Sequence, residues 1–469
     1  MTDALRRTHA RRASPRRGAV VVIVIWSVAI AAVIVGAAQV LAFRQAAMGR
    51  EAIARVEARW AARAGLEETL AVLEYHTEEP NPEDSRQLYK DLESVADGEL
   101  VSGTWEIRHT EDGVEVPGPQ DEHAKININT VPRNILLELE GMTMDVADAI
   151  VDWRDSDDDE GMMGAEYEFY VNRGLGYEPR NGNLRSIAEL ELIAGAFPRY
   201  VRGEDQNLNG RLDANEDDGS MSEPPDDADG LLDAGWSGAL TARSTGSLLA
   251  LSGEPKLNLR EAALEELQER FGLSAEQSAA LSTFAKGNNA RMEMLLVQDL
   301  TTLATGGGGR NNSQQPTGRQ SGRSSAGRTG GQAGAGARIQ ALDSQQLRRI
   351  FQEGTLDRAD QPINGKVNLN TVSPAVLRAM LPDDPISADA IVSLRGATSS
   401  GLLSISDLLG SNRITPESVA AIAPYADTQS YVFTVTSRGR SSTTGLEVEI
   451  TAVIDRSTLP ARILEYREQ

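Results

Sequence analysis

The stretch AVVVIVIWSVAIAAVIVGAAQVLAF, residues 19–43, organises the rest of this chain of 469 residues. It runs for 25 residues without a charge, and roughly 20 apolar residues suffice to cross a bilayer as a helix. Residues 1–18 carry six Arg and one Asp, and this positive flank predicts that the amino end stays in the cytoplasm while the bulk is exported. The alternative is a cleaved signal peptide, whose apolar core is usually only about 7–15 residues long.

The predicted helix continues past the apolar stretch. Residues 44–79 are rich in Ala, Glu, Arg and Leu, which favour helix, and Ile53, Val56 and Trp60 fall on one stripe. A proline directly after residue 79 ends the pattern. The sequence therefore predicts a transmembrane helix over residues 19–43 that continues as an amphipathic helix over 44–79 on the exported side.

Short strands are predicted on both sides of the middle of the chain. Residues 100–120 alternate apolar and polar side chains around a turn at Asp112-Gly113, and residues 428–458 hold a second alternating pair. The simplest packing places both pairs in one small antiparallel sheet against the long amino-terminal helix. The predicted fold class is α+β, with a large helical body inserted between the strands.

Three repeated segments mark this helical body. They start at Lys125, Lys256 and Lys366, and the first and third share the pattern Asn-x-Asn-Thr-Val before apolar residues at helical spacing. The first and third continue in the helix-hairpin-helix pattern, which makes them SAM-like helical modules. The first module, with an acidic insert, is assigned to residues 121–255, a helical repeat to 256–304 and the second helix-hairpin-helix module to 338–427.

Helix-hairpin-helix units often bind DNA phosphates through a Gly-x-Gly hairpin. Here Thr143 stands where the second Gly would be, and Asp145 and Asp148 follow it. Carboxylates repel phosphate, and the whole chain has a net charge of −23. These features predict no nucleic-acid partner and favour a protein-contact or spacer role. A membrane-anchored helix-hairpin-helix DNA-binding protein of a competence-type system stays as the alternative.

The acidic insert predicts a calcium site. Residues 205–216 read DQNLNGRLDANE, which matches an EF-hand loop at its diagnostic positions, with Gly210 at the sharp turn. Calcium takes six to eight oxygen ligands, and this spacing supplies them from one short loop. The alternative is a solvated acidic turn. The predicted ligands are Asp205, Asn207, Asn209, Arg211 through its carbonyl, Asp213 and Glu216.

Two further acidic clusters resemble calcium loops less closely. In the first, three Asp alternate and a Glu lies eleven residues after the first of them, but Gly161 comes one place late for an EF-hand. The second lacks ligands at its first and last positions. Each could equally be a solvated acidic loop. The candidate ligands are Asp155, Asp157, Asp159 and Glu166 in the first cluster and Asp227, Asp229 and Asp233 in the second.

Composition excludes several other functions. The chain has no Cys, so disulfides and thiol chemistry are ruled out, and its four His have no metal-ligand spacing. It shows no hydrolase, zinc-protease or nucleotide-binding motif, so it is not expected to be an enzyme. Residues 305–337 are rich in Gly and Arg with almost no large apolar side chain, which predicts a disordered linker.

The amino terminus resembles the type IV pilin-like family. The resemblance rests on Arg16-Arg17-Gly18 followed by the long apolar helix from Ala19. It implies cleavage by a prepilin peptidase between Gly18 and Ala19. In that family the fifth mature residue is usually a Glu that pairs with a neighbouring subunit, but here it is Ile23. A subunit without this buried charge fits best at the tip of the assembly.

The chain as a whole resembles the minor pseudopilin K family of the type II secretion system, also called general secretion pathway protein K. The resemblance adds Asn127-x-Asn129-Thr130, Asp152-Trp153-Arg154-Asp155-x-Asp157 and Gly164-Ala165-Glu166 to the features above. It implies calcium binding and a single-pass protein of the inner membrane whose bulk is periplasmic. It also implies that the chain joins the I and J minor pseudopilins and the major pseudopilin, and that it caps the tip of the pseudopilus.

Overall fold

The computed structural model describes residues 17–221, 225–304, 339–358, 361 and 363–469, with side chains from residue 20 onward. The predicted linker over 305–337 and most of the predicted leader over 1–18 therefore lie outside the described residues. The predicted processing residues Gly18 and Ala19 fall in the first turn of a helix, and their side chains are not described.

The described residues form helices and strands that are numbered in chain order. The helices are α1 (Arg17–Glu78), α2 (Gln87–Ser94), α3 (Arg133–Leu136), α4 (Met144–Arg154), α5 (Tyr167–Asn172), α6 (Pro198–Val201), α7 (Gly235–Ala239), α8 (Leu264–Phe271), α9 (Ala275–Ala285), α10 (Met294–Val297), α11 (Leu300–Ala304), α12 (Ser344–Glu353), α13 (Pro374–Met380), α14 (Pro385–Ala397) and α15 (Pro416–Ile422). Single-turn 3₁₀ helices span Glu122–Ala124, Ile187–Leu192 and Ile405–Gly410. The strands are β1 (Asp97–Leu100), β2 (Gly103–Glu111), β3 (Val114–Pro117), β4 (Gln120–Asp121), β5 (Ile126–Asn127), β6 (Leu240–Thr241), β7 (Leu257–Asn258), β8 (Gly354–Thr355), β9 (Val367–Asn368), β10 (Ala426–Asp427), β11 (Val432–Ser441), β12 (Glu447–Asp455) and β13 (Arg462–Glu468).

Helix α1 has two halves with different surroundings. Its first half is exposed on all sides, and within the described chain it is the one helix that is long and apolar enough to cross a membrane. From Ala54 onward one face is buried, and this face carries Ala58, Ala61 and Ala62. Such small side chains let the helix backbone come close to a sheet. The prediction of one continuous amino-terminal helix agrees with this element.

The main sheet joins strands from the two ends of the chain. Its order is β1-β2-β11-β12-β13, with β3 on β2 and β4 on β11, and all of these pairs are antiparallel. One face packs on α1 around a core that includes Leu66, Leu73, Ile107 and Phe433. The expected single sheet of early and late strands is therefore present. Strand β13 lies beyond the strand region predicted to end at residue 458.

The helical body lies between β4 and β11 and contains three units of similar construction. A parallel ladder of two residues per strand closes each unit, namely β5 with β6, β7 with β8 and β9 with β10. The first Asn of the repeated pattern turns the chain after each ladder, since Asn127 accepts the N–H of Asn129 and Asn368 accepts that of Asn370, both at 2.9 Å. The first Asn of the Asn-x-Asn repeat thus stabilises a tight turn.

The first and third units also share a contact at the end of their second helix. Arg154, at the end of α4, donates to the carbonyl of Val131 at 2.5 Å. Arg395, near the end of α14, donates to the carbonyl of Val372 at 2.5 Å. In both units an arginine thereby ties the second helix back to the turn that starts the first.

The second unit is divided by the linker. Strand β7 comes before the linker and β8 after it, and the two pair in parallel. Helix α12 packs on α8 as well as on the 3₁₀ helix Ile405–Gly410 of the third unit. Residues 344–355 therefore complete the second unit, whereas the sequence pattern assigned them to a module over 338–427.

Candidate metal sites

Three carboxylates meet between α4 and α5. Asp152 lies in the last turn of α4, Asp155 follows that helix, and Glu166 directly precedes α5. One oxygen of each carboxylate lies within 4.8 Å of the others. We call Asp152, Asp155 and Glu166 the acidic pocket.

Two of the three carboxylates in the acidic pocket have oxygens without the partners that buried carboxylates normally have. The Glu166 side chain is only 4% exposed, yet neither of its carboxylate oxygens has a hydrogen-bond partner, and Oδ1 of Asp155 has none either. Burial, together with the charges of Asp152 and Asp155, raises the pKa of Glu166 to about 7. Buried charges are normally paired or bound to a metal. Three converging carboxylates, two of which carry unpaired oxygens, fit a hard cation such as calcium.

Asp152 is held in place by the loop that follows it. Its carboxylate accepts the N–H groups of Gly161 at 3.1 Å and Ala165 at 2.8 Å. A Cβ atom at Gly164 would come within 1.8 Å of the Asp152 carboxylate, so a side chain at this position would displace that carboxylate. The Gly161 that comes late for an EF-hand therefore belongs to a different loop, which wraps around Asp152.

The structure brings only part of this predicted cluster together. Asp155 and Glu166 come together, but Asp157 and Asp159 are exposed, and the Asp157 carboxylate accepts the N–H of Asp159 at 3.1 Å. Asp152 was not among the predicted ligands. The spacing of Asp152 and Asp155 could have indicated this ligand, because residues three apart on a helix project from the same face.

The loop over residues 205–216 has the turn expected of a calcium loop. Gly210 has φ +71°, and the carboxylate of Asp205 accepts the N–H groups of Asn209 at 3.0 Å and Gly210 at 2.9 Å. Glu216 reaches back across the loop and accepts the N–H of Gln206 at 2.8 Å. Asp205 and Glu216 are buried, and burial raises the pKa of Glu216 to about 7.

The carboxylates of this loop are spread more widely than those of the acidic pocket. Within the described ranges, Asp205, Asp213 and Glu216 do not converge on one point as Asp152, Asp155 and Glu166 do. The Asp213 carboxylate instead accepts the side-chain amides of Asn207 at 2.8 Å and Asn209 at 3.0 Å. The side-chain amides of Asn207 and Asn209 thus lie beside the Asp213 carboxylate, held by hydrogen bonds within the loop.

The same loop is attached to the main sheet. Arg438 of β11 pairs with Asp213 at 2.8 Å, and the hydroxyl of Thr436 donates to the carbonyl of Asn209 at 3.0 Å. The buried guanidinium of Arg211 pairs with Glu106 of β2 at 2.9 Å. Predicted calcium ligands therefore also hold the acidic insert on the sheet.

The third predicted cluster, Asp227, Asp229 and Asp233, is built differently. All three side chains are exposed. One oxygen of each caps a nearby backbone N–H, those of Asp229, Leu231 and Gly235 respectively. This is the hydrogen bonding of an acidic turn, and the geometry of these residues adds nothing in favour of a metal.

The raised pKa values predict how stability depends on pH. In the metal-free protein, Glu166 and Glu216 keep a proton up to about pH 7, whereas their unfolded pKa is near the ordinary 4.5. Because the folded state then binds more protons, stability falls as pH rises through this interval. We expect the melting temperature in chelator to drop by several degrees from about pH 5 to about pH 8. Differential scanning calorimetry measures it, and a rise over the same interval would contradict the pKa assignment.

Comparison with known proteins finds a similarity to one protein family. Residues 124–203, which contain the acidic pocket, match the family model of type II secretion system protein K. The chain is also similar to a solved chain from the structure described as the GspK-GspI-GspJ complex of the enterotoxigenic Escherichia coli type 2 secretion system. That similarity has 11% identity and a TM-score of 0.44, and it covers 90% of this chain and 99% of the other. No curated protein matches the sequence. Residues 124–203 are thus similar to the type II secretion protein K family, the family that the sequence motifs indicated.

Proposed function

We propose that this protein is a minor pseudopilin of a type II secretion system, which caps the pseudopilus tip and supports its assembly for protein export. One observation carries this proposal: the segment that matches the protein K family is inserted into a frame made of a membrane-length helix and an antiparallel sheet. The family is a component of a secretion system, and we infer a structural role, without catalysis. One apolar helix near the amino end suits a single-pass anchor in the inner membrane, with the bulk in the periplasm.

The placement of the helical body supports a position at the tip. Helix α1 leaves its apolar half at one end, and the third unit contacts the chain just beyond its other end. There the N–H of Ser85 donates to the carbonyl of Ser400 at 3.1 Å. The helical body therefore contacts the chain close to the membrane-distal end of α1, where a further subunit of a filament would have to stack. Ile23, in place of the usual Glu, removes the contact that such a subunit would use.

We further propose calcium as the resident metal. In the acidic pocket Asp152, Asp155 and Glu166 would hold it, and in the loop over 205–216 Asp205, Asp213 and Glu216 would contribute carboxylates. Bound calcium would neutralise charge in a segment, residues 145–233, that holds 24 acids and seven Arg. Metal binding to the folded state alone then adds to stability. Asp157 and Asp159 of the original set are left as solvent-exposed neighbours.

The helical units are proposed as contacts between proteins and not as a DNA-binding surface. The hairpin between α3 and α4 carries Thr143, Met144 and Asp145, so a carboxylate stands near the turn that would hold a phosphate. Phosphate binding requires positive charge or free N–H groups at that turn. The competence-type alternative therefore has no observation in its favour.

The test is purification of the assembly from membranes. A tagged full-length chain, produced with a prepilin peptidase and the I and J minor pseudopilins, is expected to copurify with both and to begin at Ala19 by amino-terminal sequencing. A chain that is processed elsewhere and brings down neither partner would contradict the proposal. As a control, a gel shift with duplex DNA at low salt is expected to show no binding.

A further inference from the structure

Strand β13 forms an open edge of the main sheet. It pairs with β12 on one side, and within the described part of the chain no strand pairs with its other side. An open edge presents a row of backbone N–H and C=O groups that another strand can pair with. Soluble proteins usually protect such edges with charged side chains that point into solvent.

The charged side chains of β13 are turned toward the rest of the chain. Arg462 pairs with Asp455 at 2.8 Å, and Glu468 pairs with Arg59 of α1 at 3.0 Å. Glu465 pairs with Arg243 of the helical body, and Arg467 donates to the carbonyl of Asn207 at 3.1 Å. All four charges of the strand are therefore engaged with other residues of the chain, and Arg462 and Glu465 keep 60% and 48% of their side chains exposed.

Large apolar side chains are also exposed along this edge. Leu459, Ile463, Leu464 and Tyr466 are each between 45% and 50% exposed.

Two of these exposed apolar side chains, Ile463 and Tyr466, lie on the side of the sheet that packs on α1. Ile463 stands opposite Ile454, and Tyr466 opposite Ala452, in the register with β12. The pairing of Glu468 with Arg59 places this face beside α1. Val56, one turn before Arg59 on the same side of that helix, is also more than half exposed.

We propose that β13 is a docking edge to which a β-strand of a neighbouring pseudopilin is added, extending the main sheet beside α1. This inference rests on the proposed function and names the partner surface within it. Main-chain hydrogen bonds would supply affinity, and apolar side chains at alternate positions of the incoming strand would cover Ile463 and Tyr466. The incoming strand carries few charges, because the charges of β13 are already paired. An α-helix or a loop would leave the edge backbone groups without partners.

The experiment uses the full chain in detergent and the purified I and J minor pseudopilins. Hydrogen exchange of residues 462–468 is measured with and without the partners, and affinity is measured for the double variant Ile463→Lys, Tyr466→Lys. We expect slowed exchange over β13 in the complex and about 10-fold weaker binding by the double variant. The matched control Val101→Lys replaces a fully exposed apolar residue beside β1, at the opposite edge of the sheet, and is expected to bind like the wild type.

The possible outcomes distinguish a failure of the proposed docking edge from a failure of the proposed pseudopilin function. If the wild type and the double variant bind both partners equally, or if β13 exchanges freely in the complex, the docking edge is wrong and the pseudopilin assignment stands. If the wild type binds neither partner, the proposed function fails and the docking edge fails with it. Concentration-dependent self-association that the double variant abolishes would assign the edge to a second copy of the chain and so overturn the proposal. The unfolding transition of each variant, measured in parallel, shows whether it is folded.

Discussion

Replacing Glu166 by Gln is expected to abolish calcium binding at the acidic pocket and, in the same variant, to stabilise the calcium-free protein. Glu166 is almost fully buried, and both of its carboxylate oxygens lack partners. Without metal its charge is destabilised by burial and by Asp152 and Asp155, and an amide carries no charge to bury. With metal, the loss of one of three converging carboxylates removes most of the affinity.

The measurement is the melting temperature at about pH 8 in chelator and in millimolar calcium, with calcium stoichiometry by titration calorimetry. We expect the calcium-free melting temperature to rise by several degrees and the stoichiometry to fall by one ion. Asp157→Asn is the matched control, because it also removes one acid from the same segment but at an exposed position. It is expected to change neither quantity appreciably. A Glu166→Gln protein that keeps the wild-type stoichiometry would show that the pocket is not a calcium site.

Gly439→Ala is expected to detach α1 from the main sheet. Gly439 lies on β11 where the helix crosses it, and a Cβ atom there would come within 2.0 Å of the carbonyl oxygen of Ala58 and 2.3 Å of the backbone nitrogen of Ala62. Both are backbone atoms of a helix, so no side-chain rotation relieves the clash. We expect a loss of about 3 kcal/mol in the free energy of unfolding, the upper end of overpacking effects.

Urea denaturation of the full chain in detergent, followed by tryptophan fluorescence, measures this loss. Trp105 on β2 reports on the helix–sheet contact, since it lies beside Gly65 of α1. Gly410→Ala serves as the control, because its added Cβ atom meets no other atom within 4 Å. It is expected to unfold within about 0.5 kcal/mol of the wild type, as surface substitutions usually do. Equal stability of Gly439→Ala and the wild type would mean that α1 does not pack as closely as described.

Local patterns in the sequence determined the elements and their order. An uncharged apolar run has one stable conformation in a membrane, so α1 follows from residues 19–43 directly. The alternation of apolar and polar side chains predicted β2, β11 and β12, because successive side chains of a strand point to opposite faces whatever the rest of the chain does. The Asn-x-Asn repeat likewise marked the first and third helical units, since the first Asn caps a turn only two residues away. Family motifs over 124–203 identified the first of these units.

Long-range contacts decided the sites. Asp152 joins Asp155 and Glu166 because the loop after α4 folds back and its N–H groups orient the Asp152 carboxylate. The pairing of β7 with β8 shows that the second unit includes residues from both sides of the predicted linker, which the sequence pattern did not indicate. The free edge of β13, its internally paired charges and the attachment of the 205–216 loop by Arg438 are likewise contacts between distant parts of the chain. Spacing along a chain specifies which groups are available, whereas the desolvation and charge of a site depend on which distant groups fold around it.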